Sequence, residues 1–117
     1  MANPNIAAAT SIIGSTGVAT LTTSLATLFT VPSDTVYKIN SVSVANKTAS
    51  AASVDLTVSI DGTNDFFLAN GINVPAATTL VILTKDQSIY VPETGKMKAL
   101  SSAGTALDIV YSYEVIS

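Results

Sequence analysis

Hydrophobic and polar positions alternate most regularly at Val54, Leu56, Val58 and Ile60, which interleave with Asp55, Thr57, Ser59 and Asp61. A period of two places each set on one face of an extended chain, so this segment is predicted as a strand with one buried face. It runs into Asp61-Gly62-Thr63-Asn64-Asp65 and then Phe66-Phe67-Leu68, a turn cluster between apolar runs, which predicts a hairpin. Asn70-Gly71 and Pro75 then open a second predicted loop. Upstream, Tyr37 and Ile39 share one phase whereas Val42 and Val44 share the other. One extra residue reconciles the two phases, so a bulge is expected at Asn40-Ser41.

Further along, Leu80-Val81-Ile82-Leu83 is a continuous apolar run of strand length, the pattern of a strand covered on both faces by the core or by a neighbouring chain. Ser88 to Val91, the turn Pro92-Glu93-Thr94-Gly95, and Lys96 to Ser101 with Met97 and Ala99 on one side read together as a hairpin. In the last strand Leu107, Ile109, Tyr111, Tyr113 and Val115 alternate with Asp108, Ser112 and Glu114, leaving Val110 as an apolar outsider.

The opening segment differs. Residues 1–33 contain no ionisable side chain, and their Ala/Thr/Ser/Gly text carries Ile6, Ile12, Ile13, Val18, Leu21, Leu25, Leu28, Phe29 and Val31. Gly14 and Gly17 punctuate two β-like runs, and 21–31 is Thr-rich, which favours strand, with a helix over 24–29 as the alternative. Short strands at regular spacing with Gly/Pro/Asn punctuation predict an all-β chain, an antiparallel β-sandwich or jelly-roll-like barrel, and not a parallel α/β sheet. The expected organisation is a neutral N-terminal arm with early strands over 1–33, followed by a β-sandwich domain over 34–117.

Composition sharpens this picture. The 117 residues suffice for one domain, and only 11% are charged, against about 25% in ordinary soluble domains. With 48% hydrophobic residues and a mean hydropathy of +0.50, the solvated faces are expected to be coated with Ser and Thr hydroxyls more than with ions. The net charge of −3, the absence of arginine and five scattered lysines argue against a nucleic-acid footprint, which needs clustered cations to neutralise phosphates. No stretch approaches the roughly 20 apolar residues of a membrane-spanning helix. The first lysine is Lys38, so no basic region of a secretory signal is visible, and synthesis in a cytoplasm without membrane insertion is expected.

Candidate chemistry is sparse. The chain has no histidine and no cysteine, which removes the usual acid–base catalysts, thiolate nucleophiles and many metal ligands. A carboxylate-only glycosidase would need two carboxyls about 5–10 Å apart in a cleft. Asp55, Asp61, Asp65, Asp86, Glu93, Asp108 and Glu114 are instead mostly isolated at turns or on polar strand phases. The segment 61–65 invites a calcium reading, but it lacks the D-x-[DN]-x-[DN]-G spacing and the distal Glu, so a β-turn is the better account. Tyr37, Phe66, Phe67, Tyr90, Tyr111 and Tyr113 could form a sugar platform, yet there is no Trp and several lie on apolar strand phases, which favours packing. Gly14 and Gly17 lack the following Lys of a phosphate loop. No catalytic residue, cofactor or metal is expected.

A charge-free arm is costly to leave as ordered apolar surface in water, so either a partner or the domain's own sheet must cover it. Ile6, Ile12, Ile13, Val18, Leu21, Leu25, Leu28 and Phe29 are therefore the candidate protein-interface residues. Symmetric closure into a homo-oligomer, a trimer or dimer, would hide sheet edges.

Met1-Ala2-Asn3-Pro4-Asn5-Ile6 with Thr10-Ser11-Ile12, the central Tyr37-Lys38-Ile39-Asn40-Ser41, and Leu80-Val81, Lys85-Asp86, Ser88-Ile89-Tyr90, Leu107-Asp108 and Ser112-Tyr113-Glu114 carry a resemblance. On these segments the chain resembles small virion structural proteins of tailed phages, especially phages of cyanobacteria and other marine bacteria. The resemblance spans nearly the whole chain, and its motifs are structural. It implies a component of the phage particle: a capsid decoration, or cement, protein that sits on the outer shell and contacts major capsid protein or other virion proteins. A tail, baseplate or fibre-attachment component is the alternative within that class, and a surface-glycan-binding module is the alternative outside it. The loop Pro92-Glu93-Thr94-Gly95-Lys96 departs from the Glu-rich turn of those relatives, so a surface contact there is expected to differ.

Overall fold

The protein forms nine antiparallel strands in two sheets in a computed structural model that describes residues 11–117. The strands are β1 (Ile12–Thr20), β2 (Ala26–Thr30), β3 (Val36–Asn46), β4 (Ala52–Ser59), β5 (Phe66–Val74), β6 (Thr79–Leu83), β7 (Ile89–Val91), β8 (Lys96–Ser101) and β9 (Leu107–Ile116). One sheet runs β1-β9-β3-β6, with β7 also paired to β3, and the other runs β2-β8-β4-β5. If β6 and β7 count as two pieces of one broken strand, the chain crosses between sheets at every connection except the β4–β5 hairpin. That is the jelly-roll form of the predicted all-β sandwich.

The two inner faces supply the core. In the first sheet Tyr37, Ile39, Val42 and Val44 of β3 stand opposite Val115, Tyr113, Tyr111 and Ile109 of β9, and the register shifts between Ile39 and Ser41. This is the bulge that the phase change demanded: Asn40 is the additional residue, and it lets both halves of β3 point inward. In the second sheet Val54, Leu56 and Val58 of β4 lie against Ser101, Ala99 and Met97 of β8. Ile39, Val42, Val44, Val54, Leu56, Met97, Leu107 and Ile109 are completely buried, each contributing about 1.5–3 kcal/mol for the larger side chains.

Several local expectations change. Residues 26–30 are strand, so the helical alternative over 24–29 does not form. Asn70-Gly71 is not a loop but the middle of β5, where Gly71 takes φ +64 and its N–H is held at 2.6 Å by Asp55 Oδ1. The positive φ that makes Asn-Gly a turn signal here serves an irregularity in the ladder, whose register shifts on either side of Leu56. Lys96 to Ser101 does not fold back on Ser88 to Val91: β7 pairs with β3 and β8 with β4 and β2, so the turn at 92–95 crosses between sheets. Ile60 falls beyond the end of β4 and is half exposed.

Of the two coverings open to the neutral segment, its described part takes the domain's own sheets. β1 pairs along its full nine residues with β9, and β2 pairs with β8. Leu21 and Val31 are buried, and Leu28 and Phe29 pack against the core. The turn 92–95 is stitched to the same segment, with Val31 N–H donating to Gly95 O and Thr94 N–H to Val31 O, both at 2.9 Å. Asp34 N–H donates to Glu93 Oε2 at 2.7 Å, so the loop over residues 92–96 is tied down within the chain.

Candidate protein interface

Edge strands are where a β-sandwich meets other proteins, because one row of backbone N–H and C=O groups there has no partner within its sheet. Soluble proteins usually blunt such edges with charge, above all with lysine. Here the distribution is reversed. The charged residues on strands are Lys38 of β3, Asp55 of β4, Lys96 and Lys98 of β8, and Asp108 and Glu114 of β9, all of them central strands. The edge strands β1, β2, β5 and β6, together with β7, contain none.

The edges are not equally open. β6 has five residues, β2 has five and carries a register shift, and β5 is broken by irregularities around Leu56. β1 alone is long and regular, with an unbroken register from Ile12↔Ile116 to Thr20↔Asp108. Gly17 makes this alignment possible. It faces Tyr111, whose ring lies where a Gly17 side chain would be, so the strand can press onto the ring only without a Cβ. Tyr111 in turn packs with Phe29 and Tyr113, and both of those pack with Tyr37, at centroid separations of 4.9–6.0 Å across the four rings. Burial, and then the neighbouring Tyr113, raise the Tyr37 and Tyr111 hydroxyls above the ordinary tyrosine value, so both remain protonated.

The candidate interface residues divide accordingly. Ile12, Ile13, Val18 and Leu25 are exposed, Val18 most of all at 71%, whereas Leu21 is buried and Leu28 and Phe29 are half buried on the core. Ile6 lies outside the described residues. The pairing registers extend the exposed set. Val18 stands beside Val110, Val110 beside Ser43, and Ser43 beside Val81, which forms a row across the outer face of the first sheet. Val18, Val110 and Val81 are all exposed. The neighbouring row is hydroxyl-bearing: Thr16, Ser112 and Ser41, with the last two oxygens 2.7 Å apart. A shallow depression lined by Val18, Thr20, Asp108 and Val110 lies on the same face.

A second apolar group, Ile60, Phe66, Phe67 and Ile72, is exposed around the β4–β5 hairpin. Consecutive aromatics on an edge strand point to opposite faces, so Phe66-Phe67 cannot both enter the core. Of the six aromatics that could form a sugar platform, Tyr37, Tyr111 and Tyr113 join the ring cluster, while Phe66, Phe67 and Tyr90 are exposed and spread over both sheets.

Asp55, Asp61, Asp65, Glu93 and Asp108 all make bonds within the fold. Asp61 accepts the backbone N–H groups of Asn64 and Thr63 at 2.8 Å, and also the Asn64 amide and the Ser59 hydroxyl. This is an Asx-type turn, and those donors hold the Asp61 carboxyl far below the usual carboxylate range. Asp65 pairs with Lys98 at 3.2 Å. Asp108 accepts from the Thr20 hydroxyl at 2.7 Å and from Lys47 at 3.1 Å, which lower its pKa in that order. Among the described residues no three carboxylates converge on a metal-sized site.

Depressed carboxylate pKa values stabilise the fold above the unfolded pKa, and the effect is lost as pH falls through the folded values. The window therefore lies below about pH 4. Asp108→Asn is expected to lower the urea midpoint by a constant amount from about pH 5 to pH 8, with the gap to wild type closing under acid conditions. Parallel denaturation curves across pH check this.

No family model and no curated protein matches the chain. A solved structure does: a chain in the structure of infectious bursal disease virus, Gx strain, aligns with a TM-score of 0.52 at 13% identity over 92% of this chain. The protein spans about a third of that chain, 33% of its length. At this identity the likeness is one of fold.

Proposed function

We propose that the protein is a non-catalytic structural component of a virion, a decoration or cement protein of a tailed phage that binds the outer capsid surface and bridges major capsid subunits. The observation that carries this reading is the reversed charge distribution: ionic side chains sit on central strands, and the edge strands are neutral and partly apolar. Such a molecule is completed by other protein chains. The resemblance to small phage virion proteins supplies the particle. The jelly-roll likeness to a chain of an infectious bursal disease virus structure supports a virion setting at the level of fold.

On this reading the row Val18, Val110 and Val81 is the face laid against the shell, with the surrounding Ser and Thr hydroxyls bonding capsid backbone. Wild-type protein is expected to bind undecorated phage capsids saturably in co-sedimentation. Val18→Asp and Val110→Asp together are expected to reduce that binding at least 100-fold, since each desolvates a charge that capsid contact would bury, at a cost of about 1–3 kcal/mol or more. Unchanged binding by the folded double variant, or binding only to tails, contradicts the assignment.

A further inference from the structure

The β1 edge is self-complementary, and we infer that it pairs with β1 of a second copy of this chain across a two-fold axis at Thr16, fusing the two β1-containing sheets into one. The inference concerns the free protein and holds whether or not the particle is a phage capsid.

Hydrogen-bond parity comes first. Ser11 and Ser117 exchange both backbone bonds, at 3.0 and 2.9 Å, and Leu21 N–H donates to Leu107 O at 2.9 Å at the far end of the ladder. Bonded and non-bonded pairs alternate in an antiparallel ladder, so residues 13, 15, 17 and 19 bond to β9. Ile12, Gly14, Thr16, Val18 and Thr20 therefore turn their N–H and C=O groups to the edge that no other described strand pairs. A two-fold between symmetry-related Thr16 residues matches Thr16 with Thr16, Gly14 with Val18, and Ile12 with Thr20 of the other copy. Every one of those outward groups then acquires a partner.

Side chains fit the same register. Val18, 71% exposed, falls opposite Gly14, around which a Cβ would meet nothing, so the large residue lies over the small one. On the other face Ile13, 60% exposed, falls opposite Ala19. Thr16 meets Thr16, joining the hydroxyl rows Ser41–Ser112–Thr16 of the two copies, an arrangement in which cross-strand Thr pairs hydrogen-bond. Charge also selects a like partner. Each chain carries a net charge of −3, yet residues 11–33, the flank that would meet, hold no ionisable side chain, so no like charges are brought together. A basic or acidic partner would find nothing there to pair with. The valine row on the outer face remains exposed in such a dimer.

The test uses the full chain, which has no cysteine of its own. Wild-type protein is expected to sediment at twice its 11.9 kDa mass at micromolar to sub-millimolar concentrations. Thr16→Pro removes an outward N–H without touching a β1–β9 bond, and Thr16→Lys sets two like charges face to face at the axis; both are expected to sediment as folded monomers. Thr16→Cys is expected to form a disulfide-linked dimer on mild oxidation, because facing Cα atoms in a bonded pair lie about 5.5 Å apart, within disulfide reach. Thr63→Cys, at the hairpin tip, is expected not to. A wild-type monomer throughout, or a dimer that persists in Thr16→Lys, overturns the inference. Loss of capsid binding without loss of the dimer would strike the decoration role alone.

Discussion

Deleting residues 1–33 is expected to unfold the protein, leaving no cooperative thermal transition in the 34–117 fragment. The deletion takes an edge strand from each sheet, with the buried Leu21 and Val31 and the half-buried Leu28 and Phe29. At about 1.5–3 kcal/mol for each large side chain, this removes on the order of 5–10 kcal/mol of burial. A domain of this size has only about 5–15 kcal/mol of net stability. The loss also bares β9 and β8 along their length, and the Tyr111 hydroxyl loses its acceptor, Leu28 O, at 3.4 Å. Circular dichroism melting of the fragment checks this, and a sharp transition near the wild-type temperature would show that the opening strands are accessory.

Gly17→Val is expected to cost about 3 kcal/mol, the upper part of the usual range for overpacking, and to lower the urea midpoint accordingly. The new side chain would occupy the position of the Tyr111 ring. Tyr111 is only 5% exposed and is hemmed in by Phe29 and Tyr113, so its ring cannot readily swing aside. Relief must come from moving β1 away from β9. Gly14→Val, at a position with open space, is expected to leave monomer stability within about 1 kcal/mol of wild type, so urea denaturation of the pair isolates the ring contact. Equal effects at the two glycines would refute it.

Why the sequence discloses some of this and not the rest follows from how local each signal is. The phase change between Ile39 and Val42 is written within the eight residues 37–44, and β3 bulges there. The period-two text of β4 and its Asp-Gly turn encode a true hairpin with β5. By contrast, Pro92 to Gly95 reads as a hairpin turn whether the chain returns to the same sheet or crosses to the other, and here it crosses. Asn70-Gly71 states only that a positive φ is tolerated, which serves an irregular strand as well as a loop. The role of Gly17 depends on a tyrosine 94 positions away, as pairing with Tyr111 shows, and no local pattern reveals it.

The candidate interface was half legible for the same reason. The absence of charge in 1–33 is a property of the text, but which of its apolar residues face outward depends on strands that arrive later. Leu21 turns inward under Leu107, while Val18 turns out beside Val110. Val110 stands apart in the sequence as an apolar residue on a polar phase, and Val81 belongs to a run too apolar for one buried face. What no local window contains is edge status, and with it the reversal of charge between central and edge strands.

Residue-level hydrogen exchange on the full chain tests most directly whether this neutral edge is completed by another protein chain. When the protein is concentrated into its assembled form, the amides of Gly14, Thr16 and Val18 are expected to become protected, while those of Ile13, Ser15 and Ala19 are slow in both dilute and assembled states. Fast exchange at Gly14, Thr16 and Val18 under all conditions, with the assembled protein present, would mean that the edge stays open to water and would contradict the account.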